Sequence, residues 1–282
     1  EREQYPMIAL ATPDRSDVQL QLSDGKTISL AHVSEVKETD GRNVATNDTA
    51  GIIYQSEQGN VLREEEVIYN TVITPRGTEY MLTLSDGSRV WLNSDSRLKF
   101  PVKFSKGTRR VELVGEGYFE VAKDSSSPFI VNSGKLEIKV TGTSFNVTAY
   151  PDEKMVATTL VEGKVRVGYG TQKYDLDPGM RLVYDRENGT ADVRVVDTEL
   201  YTSWKDGYYY FKQESLEKIM DVLARWYNLN VFFQNSELKS MEFGGRLRRY
   251  ENISYLLEKM EGTQDVKFVI NGNTIIIKRK TD

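Results

Sequence analysis

The chain has 282 residues and a formal net charge of −5 at pH 7, with 28% charged and 39% hydrophobic residues. This length fits about two globular domains, and the negative charge gives no reason to expect a nucleic-acid partner. With no cysteine and one histidine, thiol catalysis is excluded and metal sites built from His or Cys ligands are nearly so. We expect no catalytic residue, no cofactor and no bound metal.

The first segment, 1–71, is interpreted as a partly β lead-in. It begins EREQYP, with neither an initiator methionine nor a signal peptide, so we interpret the chain as a piece of a longer protein. The longest apolar run of the chain, Met7 to Ala11, is too short to cross a membrane. The stretch 37–66 is polar and glycine-rich and predicts loops, with IIY and VLREEEVIY as candidate edge strands.

Two segments resemble each other at a spacing of 62 residues: VQLQLSDGKTISL at 18–30 and YMLTLSDGSRVWL at 80–92. Each alternates apolar and polar residues on both sides of Ser-Asp-Gly, which predicts a β-hairpin with a tight turn. Reuse of one hairpin indicates a repetitive β architecture, although two copies do not establish a regular array.

Strand signals dominate the second segment, 72–198. Short alternating runs such as KLEIKVTG and KVRVGYG stand between glycine and proline turn signals, and the segment has no helical apolar stripe. It predicts an all-β domain of many short strands.

The stretch VELVGEGYFEV, 111–121, has two interpretations. Gly-x-Gly after an apolar run can open a phosphate-binding loop, but the third glycine of that motif would stand at Glu120. Apolar residues instead recur at every second position, which is the strand period. We predict a strand, with Gly115 and Gly117 on its apolar face below an aromatic ring.

The third segment, 199–282, changes to helical periodicity. Apolar residues recur at i, i+3, i+4 and i+7 from Leu216 and again from Ile253. A shift of 37 residues also matches the flanking strand patterns, so a strand–helix–strand unit occurs twice, in 207–233 and 244–270. We predict a small α/β domain with two helices on one sheet.

Several motifs, in this order, resemble the FecR family of anti-sigma regulators: VITPRGTEYMLTLSDGSRVWLNSDSRLKFPVKF, RRVELVGEGYFEVAKD, VTGTSFNVTAY and LDPGMR. The later stretch LYTSWKDGYYYFKQESLEKIMDVLARWYNLNVFF is similar to the C-terminal domain that follows FecR domains in Bacteroidetes, a domain similar to the secretin and TonB N-terminal short domain. The resemblance covers about 72–282. It implies a mainly β fold, with a strand-rich, solenoid-like FecR domain followed by the small α/β domain.

The resemblance implies a regulatory function and no enzymatic activity. Family members span the inner membrane once, hold an extracytoplasmic-function sigma factor with a cytoplasmic part, and sense the signalling domain of a TonB-dependent outer-membrane receptor in the periplasm. For this chain it implies the periplasmic sensing part, with the sigma factor and the membrane reached only through a cytoplasmic part and a helix that are missing. Neither the receptor, its imported substrate nor the signalling step follows from the sequence.

Candidate partner contacts lie in the third segment. Alternation along YYYF means that either Tyr208 and Tyr210 or Tyr209 and Phe211 face away from the helices. Exposed aromatic residues on a small sheet are candidates for an interface, and contact with the neighbouring domain explains them about as well. We select Tyr208 and Tyr210.

A helical wheel that starts at Leu216 places Trp226 at the rim of the apolar stripe and Arg225 on the opposite side of the helix. Trp226 is interpreted mainly as a packing residue, with a partner contact as the alternative. Arg225 and Trp226 complete the candidate partner-binding residues.

The β-domain carries a structural fingerprint of the family, formed by Trp91, Asn93, Gly115, Glu116, Gly117, Phe119, Gly142, Phe145 and Asn146. Trp91 or Phe145 is the candidate ring above the two glycines. Asn93 and Asn146 are interpreted as turn or ladder-capping groups, with ligand binding as the alternative.

Two other classes of protein stay open. A carbohydrate-binding or carbohydrate-cleaving β-solenoid would need a groove with clustered acidic and basic side chains, and it would not explain the duplicated C-terminal unit. A piece of a secretin or of the receptor itself is disfavoured by the long β-domain ahead of the α/β domain.

Overall fold

The computed structural model describes residues 18–38, 43–48, 51–55 and 67–280. The chain divides into two compact units, one of Arg15–Thr198 and one that includes Glu199–Asp282. The loop predicted at 56–60 and residues 61–66 of the candidate edge strand VLREEEVIY, 61–69, lie outside the described residues.

The larger unit is built from strands in the part of the chain that the structure describes. The strands are β1 (Gln19–Gln21), β2 (Thr27–Ser29), β3 (Glu35–Lys37), β4 (Asn43–Asp48), β5 (Gly51–Tyr54), β6 (Tyr69–Thr74), β7 (Tyr80–Thr83), β8 (Arg89–Leu92), β9 (Ser96–Pro101), β10 (Arg109–Glu120), β11 (Phe129–Ser133), β12 (Leu136–Val140), β13 (Ser144–Ala149), β14 (Met155–Glu162), β15 (Val165–Tyr169), β16 (Gln172–Leu176), β17 (Met180–Asp185) and β18 (Thr190–Val195). This content confirms the all-β prediction.

The strands form one large curled sheet whose two halves share β10. In the first half the order is β2–β1–β6–β9–β10–β11–β12–β15–β16. In the second half it is β3–β4–β5–β7–β8–β10–β13–β14–β17–β18. The described strands of the predicted lead-in therefore belong to the same sheet as those of 72–198, because β1 pairs with β6 and β5 pairs with β7.

Alternating side chains explain how the sheet encloses a core. In β12, for example, Leu136, Ile138 and Val140 are buried while the glutamate and lysine between them are exposed. Strands of both halves contribute such inward residues to a single hydrophobic cluster. Strands such as β12 thus have one apolar and one polar side, and burial of apolar side chains supplies the main driving force for folding.

The predicted hairpin repeat is confirmed. β1 pairs with β2, and Leu20 lies opposite Ile28; β7 pairs with β8, and Leu82 lies opposite Val90. Both Ser-Asp-Gly turns end on a glycine with positive φ, 85° at Gly25 and 82° at Gly87. Such a φ favours glycine, so the two turns have the same backbone conformation at this position.

The C-terminal unit contains both predicted strand–helix–strand units. Its elements are α1 (Glu199–Thr202), a 3₁₀ turn (Ser203–Asp206), β19 (Tyr208–Ser215), α2 (Leu216–Tyr227), β20 (Asn230–Phe233), a second 3₁₀ turn (Ser236–Ser240), β21 (Glu242–Arg248), α3 (Ile253–Thr263), β22 (Lys267–Asn271) and β23 (Thr274–Lys278). Both predicted caps are present, since Ser215 Oγ accepts a hydrogen bond from the Lys218 amide and Asn252 Oδ1 accepts one from the Ser254 amide. None of the helices in the described residues has the length and apolar character of a membrane span.

The expectation of one sheet in this unit is wrong. β19 and β21 form an antiparallel pair, and a separate sheet has the order β20–β23–β22. The first strands of the two units pair with each other, whereas their last strands each pair with β23, in parallel for β20 and antiparallel for β22. The two sets of strands therefore never join in one ladder.

Candidate functional site

The predicted strand is confirmed as β10, which covers 111–120 but not Val121, and Gly117 lies on its buried side as predicted. A Cβ atom at Gly117 would lie 3.1 Å from Cε2 of Phe119 and 3.4 Å from Cδ1 of Leu113. The ring above Gly117 is therefore that of Phe119, two residues along the same strand, and not that of Trp91 or Phe145. Phe145 stacks on Phe119 at 5.1 Å between ring centroids, whereas Trp91 packs against Tyr118, on the opposite side of the strand.

Glycine is needed at position 115 for a different reason. Its φ is 95°, and a Cβ atom there would lie 2.7 Å from the Cα atom of Ser96. At this point β10 leaves the first half of the sheet and enters the second, since its residues before Gly115 pair with β9 and those after it pair with β8. Gly142 is similar, because its Cβ atom would lie 2.8 Å from the Cα atom of Lys123. These two glycines allow backbones to approach closely, and the aromatic cover predicted for Gly115 is wrong.

A hydrogen-bond network around Glu116 joins the polar residues of the fingerprint. Asn93 Nδ2 donates to one carboxylate oxygen at 2.7 Å, while Asn146 Nδ2 and Thr148 Oγ1 donate to the other at 2.9 and 3.0 Å. Asn93 is 5% exposed and Asn146 is fully buried. Their amides thus tie neighbouring strands through one carboxylate, which favours the structural interpretation over ligand binding.

Sequence reasoning missed a buried ion pair in the same unit. Arg109 Nη1 lies 2.6 Å from Oδ2 of Asp86, and the arginine also donates to the carbonyl groups of Ala122 and Ser127. Arg109 is only 3% exposed. The pair joins the Ser-Asp-Gly turn of the second hairpin to the start of β10. The signal was available, because Arg109 precedes Val111 by two residues and so shares its inward side.

The structure places the candidate residues of α2 inside. Trp226 is fully buried and its indole N–H donates to the carbonyl oxygen of Arg249, while Arg225 is 8% exposed. The wheel assumed a single apolar side, but the segment after β21 packs against a second side of the helix, where Tyr250 contacts Trp226 edge to face. The rim position predicted for Trp226 is wrong, and neither side chain presents a surface for a partner.

Arg249, also missed from the sequence, is fully buried among aromatic rings. Its guanidinium carbon lies 3.9 Å from the ring centroid of Trp226, 4.9 Å from that of Tyr209 and 5.6 Å from that of Trp204. Nη1 donates to the carbonyl oxygen of Trp204 at 2.8 Å. Arg249 follows Leu247 by two residues, and this inward alternation was again the available signal.

The tyrosines of β19 face the sides of the strand that were chosen in the prediction. Tyr209 is buried, whereas Tyr208 and Tyr210 are partly exposed and lie opposite Arg248 and Arg246 of β21. The guanidinium carbon of Arg246 is 4.8 Å from the ring centroid of Tyr208. We call these four residues the aromatic–basic face. Amphipathic rings beside arginines are the composition found at the centre of many protein interfaces.

An apolar row crosses the outer side of the three-stranded sheet. Phe232 of β20 and Val269 of β22 both lie opposite Ile276 of β23. Phe232 is 61% exposed and Val269 is 38% exposed. Since β20 and β22 are the outer strands of this sheet, the row stands beside edges that can pair with a strand of another protein.

Comparisons with known proteins agree with this architecture. The "FecR protein" family model matches residues 70–166, and the "FecR, C-terminal" model matches residues 208–277. Two crystal structures of a candidate anti-sigma factor from Parabacteroides distasonis, at 1.65 and 2.50 Å resolution, each have 25% identity and a TM-score of 0.70. The aligned regions cover 74% and 75% of this chain and 99% of each of those chains. No curated protein matches the chain.

The two family models occur in the order predicted from the motifs, the first on the curled sheet and the second on the duplicated strand–helix–strand units. Together with the structural similarity, they confirm the resemblance on which the sequence interpretation was based. The chain belongs to the FecR family.

Proposed function

We propose that the chain is the periplasmic sensing region of a membrane-anchored anti-sigma factor, which receives a signal from a TonB-dependent outer-membrane receptor and controls an extracytoplasmic-function sigma factor. The observation that carries the proposal is the tandem of a FecR domain and a FecR C-terminal domain. Similarity to the Parabacteroides distasonis candidate anti-sigma factor, across nearly the whole of that chain, supports it.

In this proposal the partner of the chain is the signalling domain of the receptor, and it docks mainly on the C-terminal domain, 199–282. Two surfaces support this choice: the aromatic–basic face, and the apolar row with its two sheet edges. Both present side chains whose burial against another protein would contribute favourable binding free energy. The segments 1–71 and 72–198 are the proposed lead-in and FecR β-domain. In this proposal the full-length protein binds the sigma factor through a cytoplasmic part and is anchored in the inner membrane by a helix.

The proposal assigns the chain no catalytic role, in keeping with a regulatory family. The signal must then be transmitted by binding to a partner, without a chemical reaction. A contact of this kind has to be reversible, so we expect moderate affinity and an interface at the lower end of the usual size range.

Calorimetric titration of the receptor's signalling domain tests the proposal. We expect binding to the whole chain, and much weaker binding to a 1–198 fragment whose fold has been verified by circular dichroism. If the folded fragment binds as tightly as the whole chain, docking on the C-terminal domain is contradicted. Failure of the whole chain to bind, with release of products from a polysaccharide, would instead support the carbohydrate-active alternative.

A further inference from the structure

The two arginines of the aromatic–basic face have no carboxylate partner. Arg246 and Arg248 are exposed on β21. Among the residues that the structure describes, no carboxylate lies within ion-pair distance of either. In the same unit, by contrast, Arg279 Nε lies 3.0 Å from Oε1 of Glu237. The guanidinium groups of the face are therefore available for carboxylates of another molecule.

A tyrosine ring restrains one of these arginines. The guanidinium carbon of Arg246 lies 4.8 Å from the ring centroid of Tyr208, whose directly opposite residue is Arg248. A cation–π contact of this kind leaves guanidinium N–H groups free to donate to a carboxylate. It also limits side-chain freedom that binding would otherwise remove. The face is thus partly ordered for an anionic partner before binding.

The spacing of the arginines indicates the conformation of the partner. Arg246 and Arg248 are two residues apart on one side of a strand, so their Cα atoms are separated by roughly 6.4–6.8 Å. Carboxylates two residues apart in another extended chain have the same separation and lie on one side of that chain. Carboxylates of consecutive residues would point to opposite sides. The face therefore fits an extended segment with acidic residues at i and i+2.

One edge of β21 has no partner strand. β19 and β21 form a two-stranded sheet, so in the part of the chain that the structure describes β21 has a strand on one side only. An unpaired edge of this kind can accept a strand of another protein through backbone hydrogen bonds.

Two glycines beside the arginines suit the approach of another backbone. Gly244 and Gly245 are exposed, and neither has the positive φ that would itself call for glycine. A Cβ atom at Gly244 would lie 3.4 Å from the carbonyl oxygen of Phe211, which is an ordinary contact, and one at Gly245 would have no atom of the described chain within 4 Å. Glycine inside a strand often marks a place where another backbone comes close. Packing within the chain does not require Gly245, so an outside partner accounts for it.

We propose that the unpaired edge of β21 binds an extended acidic segment of a partner protein as an added strand. Two carboxylates of the segment, at alternate positions, lie opposite Arg246 and Arg248. Directly opposite side chains of paired strands are about 4.5–5.5 Å apart at Cβ, which is close enough for charge pairs. The inference rests on the proposed function in one respect, that the partner is a protein.

An anionic membrane fits the same face less well. Recognition of anionic lipid uses clusters of about four to eight basic residues, whereas the aromatic–basic face has two. The chain as a whole carries a formal net charge of −5, which opposes long-range attraction to a negatively charged surface. A short acidic segment needs only local charge complementarity.

Peptide titration of the whole chain tests the proposal. The probe is capped Thr-Val-Glu-Val-Glu-Val-Thr. Its isomer Thr-Val-Glu-Glu-Val-Val-Thr has the same composition and charge but directs its two carboxylates to opposite sides. In amide NMR spectra we expect the first peptide to shift the signals of 244–248 saturably, and the isomer to bind at least about tenfold more weakly. Of the two alternate sets of peptide nitrogens, only the set that faces β21 donates to it, so methylation of that set should abolish binding.

Charge reversal supplies the matched protein variants. Arg246→Glu/Arg248→Glu should weaken binding of the acidic peptide at least about tenfold, and should bind the same peptide with lysine in place of glutamate. Binding of the lysine peptide would also show that the variant is folded. Lys135→Glu/Lys173→Glu changes the net charge equally at exposed positions of the β unit, and should alter binding of the acidic peptide less than twofold.

Absence of shifts at 244–248, equal binding of the two isomers, or equal weakening by both double variants overturns the inference. So does binding that survives methylation of either set of nitrogens, because no strand would then be added. Co-sedimentation with phosphatidylglycerol vesicles that only Arg246→Glu/Arg248→Glu loses, without peptide shifts, also overturns it, since the face would then serve a membrane.

The receptor's signalling domain is titrated in parallel, so that the inference and the proposed function can fail separately. Equal binding of this domain to the wild-type chain and to Arg246→Glu/Arg248→Glu overturns the inference and leaves the proposed function in place. Peptide binding as expected, without binding of the receptor domain, supports the site on β21 and contradicts the proposed function.

Discussion

Each unit of the molecule contains an arginine that is at most 3% exposed, but the surroundings of the two differ. In the β unit the guanidinium of Arg109 meets the carboxylate of Asp86, and backbone carbonyl groups take up further N–H groups. In the C-terminal unit the guanidinium of Arg249 lies among the rings of Trp204, Tyr209 and Trp226. The β unit thus uses charge pairing to join distant turns, and the C-terminal unit uses stacking to organise a small aromatic core.

Side chains outside the hydrophobic cores differ in the same sense. Around Glu116 the β unit directs amides and hydroxyl groups toward one another. The C-terminal unit instead presents Tyr208 beside Arg246, and Phe232 on an outer strand. Polar groups that hydrogen-bond to one another rigidify a scaffold. Exposed rings stabilise a complex when a partner buries them, and exposed cations do so when the partner supplies acceptors for them. The difference suggests a scaffold and a recognition surface.

Arg109→Leu should have the largest effect. It leaves the largely buried carboxylate of Asp86 with its hydrogen bonds from Ser88 but without its charged partner. We expect a cost of about 3–5 kcal/mol of unfolding free energy, measured by urea denaturation. The neighbouring Arg110→Leu is the matched control, because Arg110 forms an exposed pair with Glu137 and should cost less than about 1 kcal/mol. Similar losses for both variants would contradict the role of the buried pair.

Arg249→Lys should cost about 2–3 kcal/mol, since an ammonium group cannot stack flat on Trp226 and also donate to the carbonyl group of Trp204. Tryptophan fluorescence during denaturation measures the change. Arg248→Lys, one residue earlier on the exposed side, is the control and should be nearly neutral. An Arg249→Lys protein as stable as wild type would mean that the charge alone, without stacking, holds the aromatic core.

Gly117→Val should cost about 1–3 kcal/mol by overpacking against Phe119. The expected result is a lower melting temperature in calorimetry. Because the obstacle is the edge of a ring that stacks on Phe145, the added trimming of Phe119 to leucine should recover part of the loss. Melting of Gly117→Val at the wild-type temperature would show that the ring can move aside.

Arg246→Glu should have the smallest effect on stability, within about 0.5 kcal/mol, because the side chain is exposed. Chemical denaturation followed by circular dichroism provides the measurement. A loss above about 1 kcal/mol would assign the aromatic–basic face to the fold and would remove the contrast between scaffold and recognition surface.

Local patterns were enough to predict much of the fold. The Ser-Asp-Gly hairpins, the strand through Gly117 and the helices from Leu216 and Ile253 all follow from periodicity and turn chemistry, which neighbouring residues determine. The same alternation placed Tyr208 and Tyr210 on one side of the strand, but it did not determine which side faces outward.

Features that depend on residues far apart in the chain were missed. A helical wheel does not contain the segment around Arg249 that buries Trp226, and the sequence around Gly115 does not show that the backbone at Ser96 crosses beside it. The separation of β19 and β21 from the other three strands likewise depends on which strands meet in space.

The position of β10 has a consequence for how the β unit unfolds. This strand pairs with β9 and β11 in one half of the sheet and with β8 and β13 in the other. Opening of either half would remove two of the strands that hold β10 in place. The other half would be weakened as well, because it also depends on β10. The halves should therefore lose amide hydrogen-exchange protection together, as one cooperative block, although hairpins at the sheet ends can fray independently.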